Sequence, residues 1–155
     1  MAMPQTSSSP IASVGAPVQH KSKTLAALLA AVLGVFGAHW WYLGRPKAWL
    51  WTLCACLLIV LIQFYPIWWD NPPFLVLIIP AAASYIEALV LALGADSQFD
   101  AKYNPLSGKV TKTRWGPVVI AIFTTLVGSA VVVFGIALIV MHVYIKMGWL
   151  DGYVF

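Results

Sequence analysis

Four long apolar segments occupy most of this 155-residue chain, and they constrain its fold more than any other feature. Each is near or above the roughly 20 residues that an α-helix needs to cross a hydrocarbon core about 30 Å thick. Only 9% of the residues are charged, whereas a soluble domain has about 25%. The sequence therefore predicts an all-α, polytopic helical membrane protein with about four hydrophobic helices, the first two joined by a tight turn. The predicted apolar segments are 25–43, 49–65, 74–94 and 117–145.

Polar stretches flank and connect these segments. Residues 1–20 are rich in Ser, Pro, Ala and Thr without apolar periodicity, so we expect a disordered tail. Residues 21–104 form a predicted membrane domain that holds the first three apolar segments and ends in the start of loop 95–116. Residues 117–145 add a further transmembrane helix, and 146–155 form a short C-terminal tail.

Helix start and stop signals bound the third segment. Asn71 is a favoured N-cap residue, and the prolines that follow it, Pro72 and Pro73, suit the first turn of a helix. Gly94 is a favoured residue for the other end. These signals predict one continuous helix between Asn71 and Gly94.

Lysine and arginine predict which side of the membrane each loop occupies, because cytoplasmic segments carry the excess. If all four segments cross, six of the nine basic residues lie on the side of loops 44–48 and 95–116. If the first segment instead dips in and returns, the ratio becomes eight to one. Both arrangements place the two loops in the cytoplasm, and the sequence leaves the choice between them open. Orientation explains the net charge of +4, so we expect no nucleic-acid partner.

Small residues recur every four positions in the first and third segments. No hydrophobic force drives helices together in lipid, so such faces indicate close helix packing. Packing within the chain is the simpler interpretation, and a dimer interface is the alternative. The small residues are Ala26, Ala30, Gly34, Ala38, Ser84, Ala88 and Ala92.

Glu87 is the only carboxylate inside an apolar segment, where an ionisable group is costly. It lies seven residues before Gly94, about 10 Å along a helix, and His39 lies five residues before Gly44, about 8 Å. These matching depths predict that His39 and Glu87 face each other and share a hydrogen bond or ion pair. A structural clamp is the simpler role for the pair, and a proton or ion path is the alternative.

Sequence patterns typical of catalysis are missing from the chain. It has no Gly-rich phosphate loop, no HExxH and no G-x-S-x-G motif. Cys54 and Cys56 are two residues apart, so on a helix they point to different faces and do not suit a shared metal site. We therefore expect no enzymatic activity, no cofactor and no metal.

Glycine and aromatic residues between Lys21 and Gly44 carry a family resemblance. The matching residues are Leu33, Gly34, Phe36, Gly37, Ala38, His39, Tyr42, Leu43 and Gly44. This pattern resembles the opening of the TM-two domain, a family of small membrane modules named for two transmembrane helices joined by a short linker. Where family members usually have Arg-Phe, this chain has Trp40 and Trp41, so the family's arginine at the membrane edge is missing from that position.

The resemblance resumes at residues 85–87, where family members carry an acidic residue, and at residues 99–104. It implies a multi-pass protein of a bacterial inner (plasma) membrane, and it implies no reaction. The sequence favours a non-enzymatic scaffold or accessory subunit whose partners are the lipid bilayer and either another membrane protein or a second copy. A small transporter or proton-coupled component that uses Glu87 is the alternative.

Overall fold

A computed structural model describes residues 19–149 and residue 151 of the chain. Within these residues all regular structure is helical, as predicted. The predicted tail, 1–20, lies outside the described residues except for its last two, and part of the predicted tail 146–155 lies outside them too. The elements are α1 (Lys23–Leu33), a 3₁₀ turn (Gly34–Phe36), α2 (Ala38–Leu43), α3 (Ala48–Ile62), α4 (Pro72–Leu93), α5 (Asp96–Tyr103) and α6 (Trp115–Lys146).

Two of the described helices are long and apolar enough to cross a membrane. These are α4, with 22 residues, and α6, with 32 residues, which correspond to lengths of about 33 and 48 Å. The predicted number of about four crossing helices is not confirmed, because the other two apolar helices are shorter. The prediction of a plain loop over 95–116 also needs correction, since its first residues form α5.

Caps at both ends fix the position of α4. The side chain of Asn71 accepts a hydrogen bond from the Phe74 amide at 2.9 Å, and its amide group donates to the carbonyls of Ile67 and Trp68. Gly94 ends the helix, and its amide donates to the Val90 carbonyl at 2.9 Å. The helix therefore begins and ends where the capping residues predict. Glu87 lies about two turns before the end of the helix.

The first apolar segment, 25–43, is a hairpin and not one continuous helix, which is the second of the two courses that the sequence leaves open. The chain leaves α1 through the 3₁₀ turn and reverses at Gly37, whose φ of 73° is unfavourable for residues with a side chain. The Lys21 ammonium donates to the Leu43 carbonyl at 2.6 Å, and the Ser22 amide donates to the Tyr42 hydroxyl at 2.6 Å. Because the two ends of residues 23–43 meet in this way, the segment enters the bundle and returns to the same end. We call it the re-entrant hairpin.

Two backbone carbonyls of the 3₁₀ turn accept hydrogen bonds from side chains of α3. The Trp51 indole donates to the Gly34 carbonyl at 3.2 Å, and the Thr52 hydroxyl donates to the Phe36 carbonyl at 2.7 Å. Non-helical backbone at membrane depth is tolerated only where protein or water satisfies it. These two hydrogen bonds therefore explain how the hairpin can turn inside an apolar bundle.

Residues 44–47 connect α2 to α3, and both Gly44 and Lys47 have positive φ values, 70° and 66°. The sequence predicted a tight turn here between two crossing helices. That arrangement is not confirmed, because α2 has only six residues and belongs to the re-entrant hairpin.

Small residues form the contacts among α1, α4 and α6. Ala26, Ala27 and Ala30 of α1 and Ala88 of α4 are completely buried. Gly34, directly after α1, also lies against α4, since an added Cβ there would be 2.3 Å from the Ser84 Cβ atom. Ala38, which the four-residue repeat predicted on the same face, belongs instead to α2, beyond the reversal at Gly37.

A second set of glycines, in α6, was not singled out from the sequence. An added Cβ at Gly128 would meet the Tyr85 ring at 3.0 Å, and one at Gly135 would meet the Ile78 side chain at 2.5 Å. These glycines let α6 approach α4 closely, which increases van der Waals contact. Small residues therefore permit close helix packing between α4 and α6, as they do between α1 and α4.

Polar side chains gather at the two ends of the bundle. Residues 19–23, 43–47 and 94–115 lie together at one end, which we call the α5 end, because Lys21 and Lys23 contact Leu43, Gly94 and Thr113 there. Residues 63–71 and 146–149 lie at the opposite end, where the His142 ring and the Asp70 carboxylate are 2.7 Å apart. Eight of the nine lysine and arginine residues lie at the α5 end.

We predict that Gly34→Ala destabilises the protein by about 1–3 kcal/mol, because the new methyl group overlaps with Ser84. The change should lower the midpoint of thermal unfolding in detergent micelles.

The double variant Gly34→Ala/Ser84→Gly supplies the control, since it removes the Ser84 atoms that meet the methyl group. Gly34→Ala should have little or no destabilising effect when introduced into Ser84→Gly. Equal destabilisation in both backgrounds would show that the two helices do not touch at this point.

Candidate functional site

Glu87 is the centre of a polar cluster inside the apolar bundle. Its Oε2 atom accepts hydrogen bonds from the Nε2 atom of His39 and from the Trp40 indole, the latter at 2.6 Å. Its Oε1 atom accepts from the Arg45 guanidinium at 2.5 Å. His39 is 1% exposed, and the Glu87 side chain is 30% exposed. The structure thus brings together the two residues whose matching depths predicted a pair, and it adds two further donors.

The re-entrant hairpin positions the donors. α2 returns toward the α5 end alongside α4, which carries His39 and Trp40 to the depth of Glu87. Arg45 follows directly after Gly44, whose left-handed backbone ends α2. The donors therefore come from one short stretch of chain, residues 39–45, whereas the acceptor comes from a different helix.

Arg45 also links the cluster to α5 and to aromatic rings. Its guanidinium donates to the Tyr103 hydroxyl at 2.8 and 3.3 Å and lies 5.3 Å from the centroid of the Trp40 ring. Trp40 stacks on Trp51 with 5.3 Å between ring centroids. Arginine over the face of a tryptophan gains a cation–π attraction in addition to its ion pair.

The surroundings of Arg45 keep its guanidinium charged. Burial lowers the pKa of Arg45, but the hydrogen bonds with Glu87 and Tyr103 outweigh that effect and leave the pKa above its ordinary value. A permanent positive charge therefore faces the carboxylate oxygen of Glu87.

Lys23 organises a second polar layer at the α5 end. Its ammonium is buried and donates to the Gly94 carbonyl at 2.5 Å, to Asp96 at 2.7 Å and to the Thr113 hydroxyl at 3.1 Å. Three hydrogen bonds satisfy all three donors of a lysine, which explains how it can be buried. The first residue of α1 is thereby fixed to the end of α4 and to the segment before α6.

Asp100 joins α5 to the same segment. Its carboxylate accepts from the Thr111 amide at 2.6 Å, from the Thr111 hydroxyl at 2.5 Å and from the Asn104 amide at 2.9 Å. Hydrogen bonds from Asn104 and Thr111 lower the pKa of Asp100 to about 2. Hydrogen bonds from Lys23 and Thr113 similarly lower the pKa of Asp96.

The structure also places the residues that carry the family pattern. Gly34 contacts Ser84, Gly37 and Gly44 adopt positive φ, and Phe36 is exposed. The Tyr42 hydroxyl accepts a hydrogen bond from the Ser22 backbone amide, and the Leu43 carbonyl accepts one from the Lys21 ammonium. The pattern therefore describes the reversal and closure of the re-entrant hairpin.

Two comparisons with known proteins agree with that pattern. The model of the TM2 domain matches residues 19–69. The chain is also 31% identical over 87 residues to the uncharacterized membrane protein YozV of Bacillus subtilis (strain 168), which covers 56% of this chain and 86% of YozV. The chain belongs to the TM2 domain family. No solved structure matches it.

The TM2 match contains the re-entrant hairpin and α3, whereas Glu87 lies beyond it. The resemblance predicted that the family's arginine is missing at Trp40. In this TM2 protein a guanidinium nevertheless reaches the membrane carboxylate, because Arg45 extends back to Glu87 from the far side of Gly44.

Sequence reasoning missed Trp40, Arg45 and Tyr103 as members of this cluster. Arg45 was counted only as a loop charge, although a long cation beside a glycine turn can reach back along the returning helix. For Tyr103 the signal was weaker, since the contact depends on the fold of α5.

We predict that Glu87→Gln and Arg45→Gln each destabilise the protein and that the double variant is less destabilised than the sum. Each single change leaves a charged partner in an apolar setting, whereas the double change removes both charges. The coupling energy from unfolding in mixed detergent should fall in the range of about 0.5–3 kcal/mol.

Lys47→Gln is the matched control, because it removes a cation from an exposed position two residues away. It should change stability by no more than about 0.5 kcal/mol. Strictly additive effects of the Glu87 and Arg45 substitutions would contradict the proposed ion pair.

The Asp100 contact predicts a pH dependence. The pKa of Asp100 is lowered in the folded state, so its stabilising effect is present above the unfolded value of about 3.9 and is lost as pH falls through about 2. The chemical shift of the Thr111 amide proton should therefore titrate near pH 2. The same amide should show no such titration in Asp100→Asn, and a midpoint near 3.9 in the unaltered protein would show that the contact does not form.

Proposed function

We propose that this TM2 protein is a non-enzymatic scaffold or accessory subunit of a bacterial plasma membrane. The observation that carries the proposal is that three donors, from His39, Trp40 and Arg45, bind the Glu87 carboxylate. A carboxylate bound by three donors, one of them a permanent cation, is suited to holding helices together. The cluster then serves assembly of the bundle, and function resides in the surfaces that the bundle presents.

The same cluster disfavours the alternative role as a proton-coupled transporter. A proton carrier must gain and lose its proton during transport, whereas three donors, among them the Arg45 guanidinium, already bind the Glu87 carboxylate. Transporters also line a route with polar groups near the middle of the membrane. Among the described residues, the Lys23–Asp96 ion pair lies beyond the end of α4, and the contact between His142 and Asp70 lies at the opposite end of the bundle.

The exterior of the bundle supports a role in helix contacts. Large apolar side chains project outward from α3 and α6, among them Leu53, Leu57, Leu126 and Phe134, each more than half exposed. Such surfaces accept lipid chains or the helices of a membrane-protein partner equally well, since both are apolar. A second copy of the chain would also fit them.

The charge distribution supports an orientation with the α5 end in the cytoplasm. Because the hairpin returns to the α5 end, eight lysine and arginine residues lie at that end and one lies at the other. Four crossing segments would give a less asymmetric distribution, six to three. Loops 44–48 and 95–116 are then both cytoplasmic. A cysteine in place of exposed Leu106 should react with a membrane-impermeant reagent only after the cells are permeabilised, and reaction in intact cells would reverse the orientation.

Liposomes that contain the purified protein alone test the role. We predict no proton or cation flux above that of protein-free liposomes, under either an applied membrane potential or a pH gradient. Flux that is present in the unaltered protein and lost in Glu87→Gln, with equal amounts of folded protein, would favour the transporter.

Photo-crosslinking in living cells tests the scaffold role directly. A crosslinking amino acid at exposed Phe134 or Leu106 should give a discrete protein adduct of constant mass. The unirradiated sample is the control, and adducts with lipid alone at both positions would contradict a scaffold role.

A further inference from the structure

A partly open cavity of about 190 Å³ lies at the α5 end, between α4, α5 and the connection at Arg45. Its lining combines two kinds of chemistry. Val90, Leu91 and Phe99 form an apolar wall, whereas Arg45 and Lys102 provide positive charge. The cavity is smaller than the roughly 300–1,000 Å³ of sites for drug-sized ligands, so it suits a small charged group.

The position of the cavity matches the boundary between hydrocarbon and water. It extends from the level of Glu87, inside α4, to Lys102 in α5, beyond the end of the membrane-spanning helix at Leu93. Glu87 and its partner Arg45 line the inner part of the cavity, and the exposed Lys102 lies at its outer part, with apolar side chains between and beside them. Positive charge beside apolar side chains at this boundary suits a phospholipid, which joins a charged phosphate to apolar chains.

The charges around the cavity do not cancel. Lys23 is paired with Asp96, and Arg45 is paired with Glu87. Lys102 also lines the cavity but has no ion-pair partner in the part of the chain that the structure describes, and its ammonium lies 5.4 Å from the centre of the Tyr103 ring. The lining therefore retains one uncompensated positive charge.

Arg45 also has unused hydrogen-bonding capacity. A guanidinium has five N–H donors, and Arg45 uses one for Glu87 and two for the Tyr103 hydroxyl. Two donors remain on a residue that lines the cavity. Arginine donors match phosphate oxygens well, and the charge of a neighbouring lysine strengthens such binding.

We propose that this cavity binds the phosphate group of an anionic phospholipid, with Arg45 and Lys102 as its ligands and an acyl chain against Val90 and Phe99. The proposal needs the α5 end to lie at a membrane surface but does not depend on the scaffold role. A lipid bound there would contact the hairpin connection, α4 and α5 at once, and so would stabilise the Glu87 cluster from its exposed side.

Native mass spectrometry of the purified full-length protein tests the proposal. The protein is released from detergent micelles that contain equal amounts of phosphatidylglycerol, which is anionic, and phosphatidylcholine, which is zwitterionic. We expect one retained phosphatidylglycerol per protein in preference to phosphatidylcholine. Equal retention of the two lipids would overturn the proposal.

Charge-matched variants distinguish the cavity from general attraction to the basic α5 end. Lys102→Gln should reduce the preference for phosphatidylglycerol about fivefold, the effect of one charge near a membrane surface. Lys109→Gln removes the same charge from an exposed position outside the cavity and should leave the preference unchanged. Equal losses in both variants would overturn the proposal.

A second variant and a soluble competitor complete the test. Gln98→Trp places a large side chain at the lining without changing charge and should also reduce retention of phosphatidylglycerol. Inorganic phosphate should not displace the lipid, because it lacks the acyl chain that contacts the apolar wall. Complete displacement by phosphate would assign the site to a soluble anion instead of a lipid.

Discussion

The bundle depends on satisfying one carboxylate inside an apolar helix. Glu87 lies about two turns from the end of α4, and an unpaired charge on an apolar helix is costly, so Glu87 needs partners at its own depth. Its three donors all come from residues 39–45. That stretch reaches Glu87 only because the first apolar segment turns back inside the bundle and returns along α4.

The turn is possible because glycines allow its backbone conformation and close packing, and because side chains donate hydrogen bonds to its carbonyls. Gly37 provides the reversal, and Gly34 allows the turn that follows α1 to lie against Ser84. Trp51 and Thr52 then donate hydrogen bonds to the Gly34 and Phe36 carbonyls of the turn. The same residues that mark the TM2 family pattern in this chain thus shape the backbone, and the charged cluster follows from that shape.

Much of this arrangement could be predicted from local signals. The depth of His39 and of Glu87 follows from counting residues to the nearest glycine, and Asn71 and Gly94 bound α4 by ordinary capping rules. The course of residues 25–43 could not be predicted, because their length and apolarity suit a crossing helix equally well. The reversal depends on the contacts of Gly34, Gly37 and α3, which come from distant parts of the chain.

The partners of Glu87 beyond His39 were hidden for the same reason. Arg45 reaches the carboxylate only after the returning helix has been placed, and Tyr103 only after α5 has folded back against it. The glycines of α6, Gly128 and Gly135, are seven residues apart, so a four-residue repeat of small residues does not reveal them. Helix ends and repeats within one helix can be predicted from the sequence. Contacts between two helices can be predicted only when the relative positions of the helices are known.

Distance measurement between spin labels tests the central claim, the re-entrant course of residues 23–43, most directly. Labels replace exposed Ser22 and Pro46 in a protein whose native cysteines, Cys54 and Cys56, are alanine. Double electron–electron resonance in lipid nanodiscs should give a distance well below the thickness of the hydrocarbon core, because both positions lie at the α5 end. A distance of about 30 Å or more would mean that the segment crosses the membrane, and it would contradict the re-entrant hairpin.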